Sequence, residues 1–381
     1  MPALLNHVDP DGLLEYSVVY TDRALNHMAQ RFQRVMQQVS ATLKQVYGAR
    51  SAIVVPGSGS FGMEAVARQF AQGKKVLVIR NGWFSYRWSQ IFDTGAIPAA
   101  TTVLKARRLA AGGPTAPFSP APIDEVVAAI RREQPDVVFA PHVETSAGMI
   151  LPDDYLRAVA GAVHAHGGLF VLDCVASGAM WVDMRATGVD ILVSAPQKGW
   201  SSTPCAGLVM LGDEARARID ATTSSSFSMD LKKWLSIMET HEQGKIAYHA
   251  TLPTDGLAHL RDAMQETAAL GFAAAKVAQQ AIGQRVRALL EARGIPSVAA
   301  QGFQAPCVIV SYTDRDDFQN TQAFIRQGLQ IAAGVPLACD EGADFKTFRI
   351  GLFGLDKLQN ADRTVASFER ALDAALALPR A

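Results

Sequence analysis

The feature that most restricts the fold of this 381-residue chain is an alternation of short apolar runs with longer helical stretches. Residues 52–55, 75–79, 136–140, 168–172, 191–193 and 208–211 read as strands, and several are apolar on consecutive positions rather than on every second one. A strand covered on both faces has that pattern, because neither side of its pleat meets water. Between them, 62–72, 123–133 and 154–166 carry helical spacing. The order predicts an α/β domain with a mostly parallel sheet. Ahead of it, apolar residues recur at helical spacing over 25–46 and stop at Gly48, which predicts a long amphipathic helix.

Downstream, 255–293 predicts one long helix, and the alternation restarts on a smaller scale with strand 307–312, helix 316–327, strand 347–351 and helix 360–378. The expected organisation is an N-terminal segment (1–24), a large domain (25–260) and a smaller α+β C-terminal domain with its bridging helix (261–381). Segment 110–122, rich in Gly, Pro and Ala, reads as a surface loop. Open parallel sheets bind ligands beyond the carboxyl ends of their strands, so the residues just after each strand are where chemistry is expected.

Charge bounds the partners: 36 basic residues cancel 36 acidic ones, leaving no field that favours nucleic acid or an acidic membrane. A small-molecule partner is expected. Cys174, Cys205, Cys307 and Cys339 are scattered, with no spacing for a disulfide framework or a structural metal. Residues 1–11 lack the regions of a signal peptide and no apolar run reaches bilayer length, so the cytoplasm is the expected compartment.

Two patterns point to chemistry. Pro56-Gly57-Ser58-Gly59-Ser60-Phe61-Gly62 joins a predicted strand to a predicted helix. Small residues there let backbone N–H groups approach a phosphate at the positive end of the helix. The same glycines satisfy G-x-G-x-x-G, which leaves open a nucleotide-dependent oxidoreductase, although the next strand ends in Arg80-Asn81 without a carboxylate for a ribose. A turn packed for its own sake is also open.

The second pattern is a pair, Asp173 after strand 168–172 and Lys198 after strand 191–193. Pyridoxal phosphate (PLP) chemistry needs both: an amine able to shed its charge to form an imine, and a carboxylate that keeps the pyridine nitrogen protonated.

The runs Asp173-Cys174-Val175-Ala176-Ser177, Gly188-Val189-Asp190-Ile191 and Ser194-Ala195-Pro196-Gln197-Lys198 resemble the cofactor core of class V, fold-type I PLP-dependent aminotransferases, nearest the alanine–glyoxylate and serine–pyruvate branch. The likeness extends from about Asn26 to Leu372. It implies that Lys198 carries the cofactor and Asp173 faces its ring nitrogen. Gly59, Ser60, Phe61 and Gln197 match phosphate contacts. Asn81-Gly82-Trp83-Phe84 matches the segment that stacks an aromatic on the ring, with Phe84 aligning best and Trp83 adjacent. Thr145, in His142-Val143-Glu144-Thr145-Ser146-Ala147-Gly148, is similar to the hydroxyl residue that approaches the ring, and Val175 matches the residue on its other face. Tyr248 and Thr251 resemble a pair that reaches the partner subunit's PLP phosphate, which implies a homodimer with shared sites. Arg349, in Phe348-Arg349-Ile350-Gly351, matches the arginine that grips the substrate carboxylate, a role suited to a planar fork of donors.

The implied reaction moves an amino group from a small amino acid to a 2-oxo acid such as glyoxylate or pyruvate. The chain departs from that branch in two places. Residues 11–20 do not resemble its glycine-proline loop, which helps line the substrate pocket, and 201–207 differ in their small residues. Cys205 then reads either as close to the site or as a buried structural thiol. The rivals are a PLP-dependent lyase or cysteine desulfurase, for which Cys339 is the one candidate nucleophile although its surroundings do not match the desulfurase loop, and a non-enzymatic binding protein that keeps the fold.

Overall fold

Seven strands form the main sheet of the computed structural model: β1 (Ser51–Pro56), β2 (Lys75–Arg80), β3 (Ala100–Lys105), β4 (Val137–Pro141), β5 (Leu169–Asp173), β6 (Ile191–Ser194) and β7 (Ala206–Leu211). Residues 13–110 and 113–379 are described. The readings placed on 1–11, and on positions 111–112 of the Gly- and Pro-rich segment, fall outside them. The strand order is β1-β7-β6-β5-β4-β2-β3. All neighbours are parallel except β7, which runs against both β1 and β6. The expected mostly parallel α/β fold is therefore what the chain adopts.

The edge strand β3 has no counterpart in the predicted set. Its sequence, Ala-Thr-Thr-Val-Leu-Lys, lacks a continuous apolar run, and its residues are exposed or half-buried, unlike those of the opposite edge strand β1, which are almost all buried.

Helices α1 (Gln30–Tyr47), α2 (Gly59–Phe70), α3 (Trp83–Gly95), α4 (Ile123–Glu133), α5 (Asp153–His164) and α6 (Leu231–Glu242) accompany the sheet. Helix α1 ends at Gly48 with φ 64°, as expected, but begins at residue 30 rather than 25. Asp255 accepts the Leu25 N–H, and the Asn26 side chain accepts the Met28 N–H, which holds the preceding residues in a turn. The predicted single bridge over 255–293 is two helices, α7 (Thr254–Leu270) and α8 (Phe272–Glu291). Gly271, at φ 93° and ψ 127°, breaks the helical backbone between them.

The smaller sheet has order β8-β10-β9, from β8 (Val308–Tyr312), β9 (Ala332–Ala333) and β10 (Thr347–Gly351), and is antiparallel throughout. The helix predicted over 316–327 is two short pieces separated by Thr321, whose φ is 71°. Helix α9 (Ala361–Leu376) closes this part against α8 through a core that includes Ile282, Val286, Phe348 and Phe368.

A further apolar cluster joins the two parts, with Val143 and Met149 meeting Val308, Val310 and Tyr312. Phe118 belongs to it and exchanges backbone hydrogen bonds with Val298 and Ala300. The segment read as a surface loop thus has a buried second half. The packing sets Val143 and Ala176, just beyond β4 and β5, against Val308 and Val310 of β8. Among the described residues no helix is long and apolar enough to cross a membrane.

Candidate active site

Parallel pairing of β5 with β6 sets Asp173 opposite Val193, so the chain leaves both strands at one edge of the sheet. Asp173 is buried, and its Oδ1 accepts the Val175 N–H at 2.9 Å. Burial pushes its carboxyl up to about 6, against the pull of that N–H and of the Lys198 charge. Lys198 follows β6 in a turn held close to the chain, since a Cβ on Gly199 would lie 2.3 Å from the Gly178 carbonyl oxygen. Burial lowers the pKa of its amine, while Asp173 opposes the shift. A lysine that gives up its proton more easily is closer to the nucleophile that imine formation needs.

Aromatic rings enclose this amine. Lys198 Nζ lies 5.8 Å from the Phe84 ring centroid and 5.7 Å from that of Phe353. Of the two neighbouring aromatics on α3, Phe84 lines the cavity that holds Lys198, while Trp83 packs against Tyr86 at 5.6 Å. Arg349, on β10, brings its guanidinium 5.6 Å from the same Phe84 ring. Its Nε donates to the Ala333 carbonyl at 2.7 Å, and burial lowers its pKa. No carboxylate pairs with it among the described residues.

Gly59, Ser60, Phe84, Thr145, Asp173, Val175, Gln197 and Lys198 line one cavity. The first residues of α2 form part of its wall. A Cβ on Gly59 would come within 2.7 Å of Val175 Cγ2, so the approach of turn to loop requires glycine there. Phe61 lies elsewhere: its ring is half exposed, folds over Gly57 and is not part of the cavity wall. Tyr248 and Thr251 also stay outside the cavity of their own chain, exposed and joined hydroxyl to hydroxyl at 3.2 Å.

Two residues that matter here were not singled out from the sequence. Glu144 is fully buried and accepts five hydrogen bonds, from the Phe84, Ser85 and Ser146 N–H groups and the Ser85 and Ser146 hydroxyls. It ties the start of α3, and with it Phe84, to the loop carrying Thr145. Its place within the quoted loop motif was the available signal. Arg87 donates from Nη1 to Ser60 Oγ at 2.9 Å and lines the same cavity, and no motif marks it.

The rival chemistries lose support. Cys339 is buried with its Sγ directed at the Arg80 and Leu337 carbonyls, and burial pushes its thiol up to about 12, unlike a mobile nucleophile. Cys205 is buried against the backbone of Gly256, with its thiol pushed up to about 11, as a structural thiol would be. β1, which feeds the glycine turn, is an edge strand antiparallel to its neighbour, whereas a dinucleotide fold needs it inside a parallel sheet. A larger cavity of about 510 Å³ opens between α5 and α8, with His142 in its wall, but neither Asp173 nor Lys198 reaches it.

The residues present fit PLP. Thr145 Oγ1 is buried, lacks a hydrogen-bond partner among the described residues and lines the cavity, and a ring hydroxyl or oxygen placed there would satisfy it. An acid, an amine, an aromatic ring and a helix N-terminus gathered in one cavity are the groups that the cofactor's nitrogen, aldehyde, ring and phosphate would need. The fold and the residues of this cavity fit the fold-type I class of PLP-dependent enzymes.

Within that class the chain belongs to the class-V aminotransferase family, whose model matches residues 12–353. Over 90% of its length it is 29% identical to a 2-aminoethylphosphonate–pyruvate transaminase of Paraburkholderia phymatum, covering 88% of that protein. Over 91% it is 24% identical to an alanine–glyoxylate aminotransferase of Oryctolagus cuniculus, covering 86% of it. A Synechococcus protein named as the small subunit of a soluble hydrogenase is 26% identical over 93% of the chain and 87% of its own length. Among solved structures, an alanine–glyoxylate aminotransferase from Nostoc superposes with a TM-score of 0.75 at 22% identity, covering 91% of this chain and 88% of that one, a likeness of fold.

Proposed function

We propose that this aminotransferase moves an amino group from a small amino acid to a 2-oxo acid such as glyoxylate or pyruvate, with PLP on Lys198, and that it works as a cytoplasmic homodimer. The observation that carries the proposal is the single cavity in which burial raises the pKa of Asp173 and lowers that of Lys198, beneath an arginine without a carboxylate. Bound PLP supplies the electron sink that makes a substrate Cα–H acidic. The protein supplies the rest. Arg349 holds the substrate carboxylate by its fork of donors. Phe84 covers one side and excludes water. Asp173 and Thr145 would orient the ring, and the Lys198 amine would take the proton from Cα and return it two bonds away, on the far side of the transferred nitrogen. The acceptor class rests on the names of the curated relatives, one using pyruvate and one glyoxylate.

The direct test is a panel of amino donors in single turnover, each followed by glyoxylate or pyruvate. Small donors are expected to bleach the cofactor absorbance and a 2-oxo acid to restore it. If no donor changes the spectrum, aminotransfer is the wrong reaction for this site.

Tyr248 and Thr251 face outward as a joined pair, which supports their reaching into the partner's phosphate site. Mixing Lys198→Ala with the double variant Tyr248→Phe, Thr251→Val is then expected to restore roughly a quarter of wild-type activity, since half the dimers in a random mixture are mixed and each holds one intact site. Two inactive proteins that stay inactive after subunit exchange would show that the pair serves its own chain.

A further inference from the structure

From the geometry around α2 we infer that Arg87 is the cation that neutralises the cofactor phosphate, a role that rests on the PLP reading of the site. Every phosphate contact expected from the sequence is electrically neutral: the turn at Gly59, Ser60 and Phe61, the Gln197 side chain, and the Tyr248–Thr251 pair. A phosphate dianion held only by neutral donors lacks a compensating charge. Arg87 supplies one from a different element.

It sits one turn beyond Phe84 on α3, with its guanidinium 5.3 Å from that ring and Nη1 on Ser60 Oγ at 2.9 Å. One helix face thus delivers both the ring wall and the cation. Arg87 has no ion pair with a carboxylate among the described residues, although arginines elsewhere in the chain pair with nearby acids. Its position is otherwise unfavourable. The first N–H groups of α2 have no acceptors within the helix, and a guanidinium facing that positive end is repelled unless an anion lies between them. The unpartnered Thr145 hydroxyl in the same cavity independently indicates that a polar ligand completes the site.

The test compares the apo-protein's affinity for PLP with that for pyridoxal, which lacks the phosphate, in wild type, Arg87→Met and Arg87→Lys. Arg87→Met is expected to weaken PLP binding by about 10- to 100-fold, the usual effect of losing a charge-assisted hydrogen bond, and to leave pyridoxal binding unchanged. Arg87→Lys, which keeps the charge, retains most of the wild-type preference and controls for folding. Equal losses for both ligands in Arg87→Met would assign the arginine a structural role and overturn the inference, as would an unchanged PLP affinity. A wild-type protein that binds neither ligand would defeat the PLP reading itself, a result distinct from either of those.

Discussion

Lys198→Ala is expected to lower kcat/KM by at least about a thousand-fold, because it removes both the covalent anchor and the proton carrier, and general acid–base catalysis alone contributes about 10²- to 10⁴-fold. The expectation follows from position. Lys198 lines the cavity with Asp173, and among the described residues no other lysine is in its walls. Loss of activity should occur without loss of fold. The side chain makes no ion pair among the described residues, and its burial disfavours the charged amine. Borohydride reduction of the wild-type holoenzyme should leave a pyridoxyl group on the peptide containing Lys198 and none on the variant, while a small exogenous amine should return part of the lost rate. A reduced adduct mapped to another lysine would remove the basis of the assignment.

Asp173→Asn is the second large effect, about 10²- to 10³-fold in kcat, comparable to removing one preorganised electrostatic group from an active site. The amide keeps the shape but cannot hold a proton on a ring nitrogen. The same residue carries a stability signature in the apo-protein. Its carboxyl titrates at about 6 in the fold against an ordinary 3.8. Between those values the folded chain keeps a proton that the unfolded chain has released, so raising the pH from about 4 to about 6 disfavours the folded state. For this group alone the change is roughly 3 kcal/mol. Asparagine has no such proton, so the stability of wild type relative to Asp173→Asn should decline across that window in urea denaturation. A difference that stays flat would mean that Asp173 titrates in the folded apo-protein as it does in the unfolded chain.

Much of the architecture was readable because burial on both faces writes itself into consecutive residues. Strands β2, β4, β5 and β6 lie within the main sheet, and their apolar runs marked them. The edge strand β3 lacks that signature. The break at Gly271 also escaped notice, since apolar spacing continues through it and the break is one of backbone conformation.

In the site, Asp173 and Lys198 were legible because one ends a strand and the other closely follows one, and a parallel sheet must bring strand ends to one edge. Their local sequence therefore implied their proximity. Phe84 over Trp83, the five bonds gathered by Glu144 and the approach of Arg87 to Ser60 were of another kind. Residues 59 or 60 positions apart meet at Glu144, and 27 positions separate Arg87 from Ser60. Cys339 likewise looked like a possible nucleophile until its packing against Arg80 was known. Side-chain direction and burial depend on how α3 and the small-sheet loop are seated against the edge of the main sheet. That seating is set by contacts between distant parts of the chain, which apolar periodicity, a local property, does not encode.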